Sequence, residues 1–236
     1  MICSKFLKLK LALLISAAVI VISAANILSY MFLPGGLTEK KVIIIEPNFS
    51  VHKISLLLEQ EKVIKYRPLF EIISRIYAYY TPLKSGEYEF PSSITPYRVI
   101  RTLASGKSIV HHLLIPEGYT VHEILERINS EDRLVGTISG EIPEGYLMPS
   151  TYFYSYGDKR EKIVDLMRRQ MSRTLDETMS KLPANSPLKT RSDVLIMASI
   201  IEKEAGHDYE RKKIAAVFLN RLKKGMKLQA DPTTVY

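Results

Sequence analysis

"ASIIEKEAGHDYERKKIAAVFLNRLKKGMKLQADPTTVY", residues 198–236, decides how this chain is read. The apolar run Met197–Ile201 passes straight into Glu202 and Glu204. Asp193 suits the first turn of a helix capped by Ser192 or Thr190, and that helix carries both acids. At about 100° per residue the two carboxyls leave it on different sides. Glu204 falls among Ile200, Met197 and Ile201, and Glu202 between Ala198 and Leu195, so spacing alone separates them only weakly. A carboxyl among apolar neighbours loses hydration and holds its proton more tightly, which suits proton donation to a leaving oxygen. The competing expectation is that one or both acids pair with Arg211 or Lys212. "DYERKKIAAVFLNRLKKG" (208–225) predicts a second helix, with Ile214, Val217, Phe218 and Leu222 inward and Gly225 as its stop. "MKLQADPTTVY" reads as extended, with Asp231-Pro232 a turn signal.

At the other end, "LALLISAAVIVISAANILSYMFL" (11–33) carries no formal charge. As a helix rising about 1.5 Å per residue it is long enough for a hydrocarbon layer of about 30 Å. Lys5, Lys8 and Lys10 precede it, and the next charge is Glu39. The positive-inside rule then puts residues 1–10 in the cytoplasm and the remainder across the membrane. A cleaved signal peptide has a shorter apolar core, so the run is expected to be an uncleaved anchor, although "SAA" at 23–25 resembles a cleavage site. The net charge of +8 suits an anionic partner such as an acidic polymer or lipid headgroups. Export argues against nucleic acid. The one cysteine, Cys3, leaves no intrachain disulfide and no cysteine zinc site.

Between the two ends the chain predicts small α and β units. "PGGLTEK" (34–40) reads as a linker and "KVIIIE" (41–46) as a strand. Helices follow from Ser50 to near Lys62 and from Pro68 through Tyr80, and a strand around Tyr88 and Phe90. A further helix starts at Thr95-Pro96 and stops at Gly106. "SIVHHLLIPEG" (108–118) reads as a strand into a turn, and Thr120 with Glu123 forms a capping box. His111 and His112 point to opposite faces of that strand and make a poor metal pair. No GxGxxG, Walker or HExxH pattern occurs, and no metal site is expected. "GEIPEGYLMPSTYFYSYGD" (140–158) is either a core-capping loop with a strand or the wall of a cleft. A helix from Lys159 carries Ile163, Leu166, Met167, Met171 and Leu175 inward.

The quoted C-terminal stretch closely resembles the signature of the endolytic murein transglycosylases, the YceG-like (MltG) family. A-S-I-I-E-K-E, then E-R-K-K-I-A-A-V-F-L-N-R-L, then L-Q-A-D-P-T stand here in the family's order. "LKSGEYEF" (83–90) and "LASGK" (103–107) resemble its LysM-like region, and "PEG" (116–118) and "EGYLMPSTYFY" (144–154) the entry to its catalytic domain. Pro149-Ser150-Thr151 departs from the family's Pro-Asp-Thr by one carboxylate. Family members continue beyond the tyrosine matching Tyr236.

The resemblance implies an α+β protein: a cytoplasmic tail (1–10), one transmembrane helix (11–33), a linker (34–40), a LysM-like α/β subdomain (41–112) and a catalytic domain (113–236) incomplete at its C-terminus. It implies a lytic transglycosylase in the bacterial inner membrane, facing the periplasm. Its substrate is the glycan strand of peptidoglycan, it needs no cofactor, and cell-wall synthesis enzymes are possible partners. Glu204 takes the place of the family's catalytic acid. Asn220, Gln229, Asp231 and Glu144 are expected to line sugar subsites or orient Glu204. The alternative is an anchored peptidoglycan-binding or scaffold protein whose catalysis is impaired.

Overall fold

A computed structural model describes residues 2–230, with side chains from Leu13 onward. It is a mixed α and β structure with an N-terminal apolar helix. Helix α1 (Ile2–Phe32) takes in the expected span and most of the tail before it. Its stretch Leu13–Phe32, exposed over most of its length, has a mean hydropathy of 2.1 and is long and apolar enough to be a membrane span or a signal sequence.

The chain divides into two compact units. One runs up to Ile109 and takes in Ser155–Gly157; the other holds Val110–Tyr154 and the chain from Asp158 on. The division falls at the start of strand β3 (Val110–Ile115), whereas a boundary after His112 would cut that strand in two.

In the first unit, β1 (Lys41–Ile45) pairs antiparallel with β2 (Gly86–Phe90), Ile43 facing Tyr88. Helices α2 (Val51–Gln60), α3 (Arg67–Tyr80) and α4 (Pro96–Ser105) complete it. Alternation along the strands sends Ile43, Ile45, Tyr88 and Phe90 inward, where they meet Leu58, Phe70, Val99 and Leu103. Burial pushes the Tyr88 phenol up. Ser50 and Thr95 accept the N3 backbone N–H of their helices, and Gly106 ends α4 in the left-handed conformation at φ 72°.

The segment expected as a linker is instead part of this unit. Leu37 and Met31 are buried in its core. Gly35 N–H donates to the Ile94 carbonyl at 2.8 Å and Ser93 N–H to that of Leu37 at 2.9 Å. Two glycines are needed because the backbone passes so close to its neighbours. A Cβ on Gly35 would collide with the Val63 carbonyl oxygen and sit 2.8 Å from that of Ile94. Composition suggested a spacer; the missing side chains serve a close backbone approach.

In the second unit β3 pairs with β4 (Ser150–Ser155), and α5 (Val121–Asn129) and α6 (Arg160–Lys181) supply half of the core, Ile124, Ile128, Ile163 and Met167 among it. The aromatic strand is chiefly core. Tyr152 and Tyr154 are buried and Phe153 exposed. Burial pushes both buried phenols up to about 12, helped at Tyr154 by the Glu131 carboxylate that accepts its O–H at 2.6 Å. Two further helices, α7 (Arg191–Glu204) and α8 (Asp208–Lys223), follow. On α8, Phe218 is buried and Ile214 and Leu222 are partly so, but Val217, expected inward, is exposed. The apolar contact with α7 is one stripe wide, and Val217 falls outside it.

Two predictions follow from this architecture. Gly35→Ala is expected to destabilise the first unit by about 1–3 kcal/mol through the backbone collision, read as a lowered melting temperature. The second concerns the caps of α5 and α7. Glu123 is held below its ordinary pKa chiefly by the Thr120 N–H and hydroxyl, and Asp193 by the N–H groups of Lys189 and Thr190. Depressed folded values stabilise the protein above the unfolded values of about 4, and this contribution is lost as pH falls through the lower folded ones. Urea midpoints are therefore expected to drop on the acid side below about pH 4. Glu123→Gln with Asp193→Asn should flatten that acid limb, and an unchanged slope would refute the assignment.

Candidate active site

The site is built on α7. Thr190, not Ser192, caps it: its Oγ1 accepts the Asp193 N–H at 3.1 Å, and the Asp193 carboxylate accepts the N–H groups of Lys189 and Thr190, each at 2.8 Å. Val194, Met197 and Ile200 form the buried side of the helix. Val194 packs with Met171 and Leu175 of α6, while Met197 and Ile200 pack with Phe218 of α8. Spacings of three residues keep these side chains in one stripe, fixing the rotation of α7 about its own axis.

That rotation separates the two acids. The Glu202 carboxylate accepts Arg211 Nη2 at 3.0 Å, and Arg211 Nη1 donates to Asp208 at 2.7 Å. Glu202 is the main reason the Arg211 guanidinium holds its proton more tightly than usual, with Asp208 and Glu117 contributing. Glu202 thus makes the expected ion pair with Arg211. Glu204 is the last residue of α7, one turn after Ile200. It is half-buried rather than enclosed in an apolar pocket, because the helix ends there and the chain turns through Ala205–His207 into α8.

Lys203, between the acids, projects elsewhere. Its ammonium donates to the Gly118 carbonyl at 2.8 Å. This bond ties the end of α7 to the Pro116-Glu117-Gly118 turn between β3 and α5. Gly118 holds φ 76°, a left-handed conformation that suits glycine. A second motif also meets α7: Gly145, at φ 80°, lies so close that a Cβ would sit 3.0 Å from Leu195 Cδ2. Two separated motifs, 116–118 and 144–146, therefore meet the helix that ends in residues 202–204.

The other expected site residues fare differently. Glu144 is engaged structurally: its Oε2 accepts the Val121 N–H at 2.9 Å at the start of α5. Asn220 is exposed on α8, about 18 Å along the axis from its first residue, and lies well away from the α7–α8 turn. The segment after α8 packs Leu228 and Ala230 against Met197, Ile200 and Phe218. It presents Gln229 to solvent at φ 54°. Asp231 lies outside the described residues. Sequence reasoning missed the Lys203 tether and a ring pair beside the turn, His207 and Tyr209, stacked with centroids 5.5 Å apart and planes 13° from parallel. Their spacing of two in the first turn of α8 carries no signature by itself. Among the described residues, no group of three His, Cys, Asp or Glu side chains gathers as a metal ion would require.

Comparison with known proteins places the chain in a family. The chain is 25% identical over 229 residues to an endolytic murein transglycosylase of Streptococcus pneumoniae strain D39, covering 79% of this chain and 41% of the relative. It is 28% identical over 220 residues to an endolytic murein transglycosylase of Bacillus subtilis strain 168, covering 79% of this chain and 60% of that one. The chain thus spans about half the length of these relatives. A crystal structure of a YceG-like protein from Listeria monocytogenes matches with 30% identity and a TM-score of 0.41, over 84% of this chain and 75% of the other. The model of the YceG-like family matches residues 43–236, the greater part of the sequence, and the chain belongs to that family.

Proposed function

We propose that the protein is a membrane-anchored endolytic transglycosylase that cuts glycan strands of peptidoglycan with Glu204 as its acid and base. The observation that carries this reading is the end of α7. Glu204 stands, half-exposed, at a helix terminus fixed by the Lys203–Gly118 bond, while Glu202 is held by Arg211. Membership of a family whose named relatives are endolytic murein transglycosylases supplies the substrate class.

In this reading Glu204 protonates the oxygen that joins N-acetylmuramic acid to N-acetylglucosamine. The bond to the muramyl C1 breaks through an oxocarbenium-like state. The 6-hydroxyl of the same muramyl residue then attacks C1 and gives up its proton to the Glu204 carboxylate, restoring the starting acid. The product ends in a 1,6-anhydro ring. Water is not consumed, and the nucleophile is already attached to the reacting sugar, which removes much of the entropic cost. One carboxyl therefore serves both steps, consistent with Glu202 being occupied elsewhere. The exposed His207–Tyr209 stack offers an aromatic face beside the turn on which a sugar ring can rest.

The first unit is read as a LysM-like module that retains the strand. It has an open cleft of about 540 Å³ between the loop after β1 and the loop before β2, lined by Asn48, Phe49, Leu83 and Lys84 among others. Helix α1 is read as the anchor, with its lysine-bearing start in the cytoplasm and both units beyond the inner membrane.

Glu204→Gln is expected to lower strand cleavage by at least about 100-fold while the fold is kept, read by mass spectrometry of 1,6-anhydro ends from purified strands. Equal products from wild type and variant would end the catalytic assignment. Wild-type binding without any cleavage would support the anchored scaffold reading. Lys203→Met removes the tether and is expected to cost about tenfold in kcat, with little change in KM and partial recovery in Lys203→Arg, since small misplacement of a catalytic group is expensive.

A further inference from the structure

Helix α3 has an apolar side that the core does not use. Its inward face is set by Phe70 and Ser74, both fully buried. On the opposite side, at spacings of four, three and one, stand Ile72, Ile76, Tyr79 and Tyr80, exposed by 56%, 62%, 85% and 81%. The two tyrosine rings meet edge to face, 5.2 Å apart, and do not fold back onto the unit. A helix with apolar residues on both faces needs a second apolar partner.

Its position says which partner. Tyr66, the residue before α3, accepts through its carbonyl the O–H of Tyr30, near the end of α1, at 2.9 Å. Met31 is buried in the same core as Phe70. The start of α3 is thus fixed to the end of the apolar helix by packing and a hydrogen bond, not by a loose linker. Lys65 lines the recess at that end with Tyr30, Leu33 and Pro34. Arg75 flanks the stripe but is paired with Glu71, which His52 also meets, and Glu59 is paired with Arg67, so among the described residues Lys65 is the cation at this edge without an ion pair. Phe32 and Leu33, at the end of the apolar helix, are exposed as well.

We propose that this outward face of α3 lies in the lipid headgroup layer beside the anchor and seats the first unit on the membrane surface. Tyrosines and isoleucines on one side with lysine and arginine at the edges fit an amphipathic helix lying in the interface plane, its apolar face sunk about 5–10 Å. Tyrosine rings favour that depth, and the cations favour anionic lipid. The proposal rests on α1 spanning the membrane.

The chain has no tryptophan, so a single one introduced by substitution reports alone. Tyr79→Trp and, separately, Leu28→Trp are placed in the full-length chain in vesicles of phosphatidylethanolamine and phosphatidylglycerol. Lipids brominated near the headgroup end of their acyl chains serve as quenchers. Both reporters are expected to lose most of their emission, and Ile76→Glu added to Tyr79→Trp should restore much of it. Quenching at position 28 with water-like, unquenched emission at 79 would overturn the proposal and leave the anchor standing. No quenching at 28 would refute the anchor and the proposal together. Blue-shifted but unquenched emission at 79 that reverts when the protein is diluted in lipid would assign the face to a second copy of the chain, against the proposal.

Discussion

The bond from Lys203 to the Gly118 carbonyl is the constraint on which the arrangement of the candidate site depends. A helix end is ordinarily where a chain frays, since its last carbonyls lack partners. Here the end of α7 is tied by the Lys203 ammonium to another part of the chain. The ammonium crosses from the helix to a turn far away in sequence, and glycine at 118 lets that turn adopt φ 76°. At its start, Thr190 and Asp193 satisfy each other's backbone groups. Between the ends, packing of Val194, Met197 and Ile200 against α6 and α8 prevents rotation. With both ends and the rotation fixed, the direction of every side chain on α7 is determined.

Much of this was legible in the sequence because it rests on local chemistry. Thr120 with Glu123, Ser50, and Thr95-Pro96 mark helix starts whose hydrogen bonds close within three residues, so spacing suffices to find them. Gly106 and Gly225 mark stops for the same reason, each in a left-handed conformation. The two strands rich in β-branched and aromatic residues were readable by alternation. What was not legible depends on distant chain. Gly35 and Gly36 look like spacer residues until the carbonyls of Lys62, Val63 and Ile94 are brought against them. Val217 looks apolar and inward until the contact between α7 and α8 proves too narrow to reach it.

The same distinction divides the site residues. Glu144 was read as a possible sugar ligand because it sits in a motif, yet its carboxylate serves the first N–H of α5, a partner 23 positions away in sequence. Asn220 lies in the same quoted run as Glu204, but that run is two helices joined by a short turn. Phe218 and Leu222, on either side of Asn220, face α7, and Asn220 itself is turned to solvent. Gln229 returns with the segment that Leu228 and Ala230 pin to α7 and α8, which no local pattern announces.

The alternation of Glu202, Lys203 and Glu204 now has a physical explanation. Three consecutive residues at a helix end point in three directions. One acid goes to Arg211 on the next helix, the cation goes to the turn at Gly118, and the second acid is the last residue of the helix. Exchanging Glu202 and Lys203 in order would aim the ammonium toward the Arg211 guanidinium and a carboxylate toward a carbonyl oxygen, so both ties would become repulsive. The two flanking bonds therefore require this charge order, and with it they leave the last residue of α7 at a fixed position beside the turn.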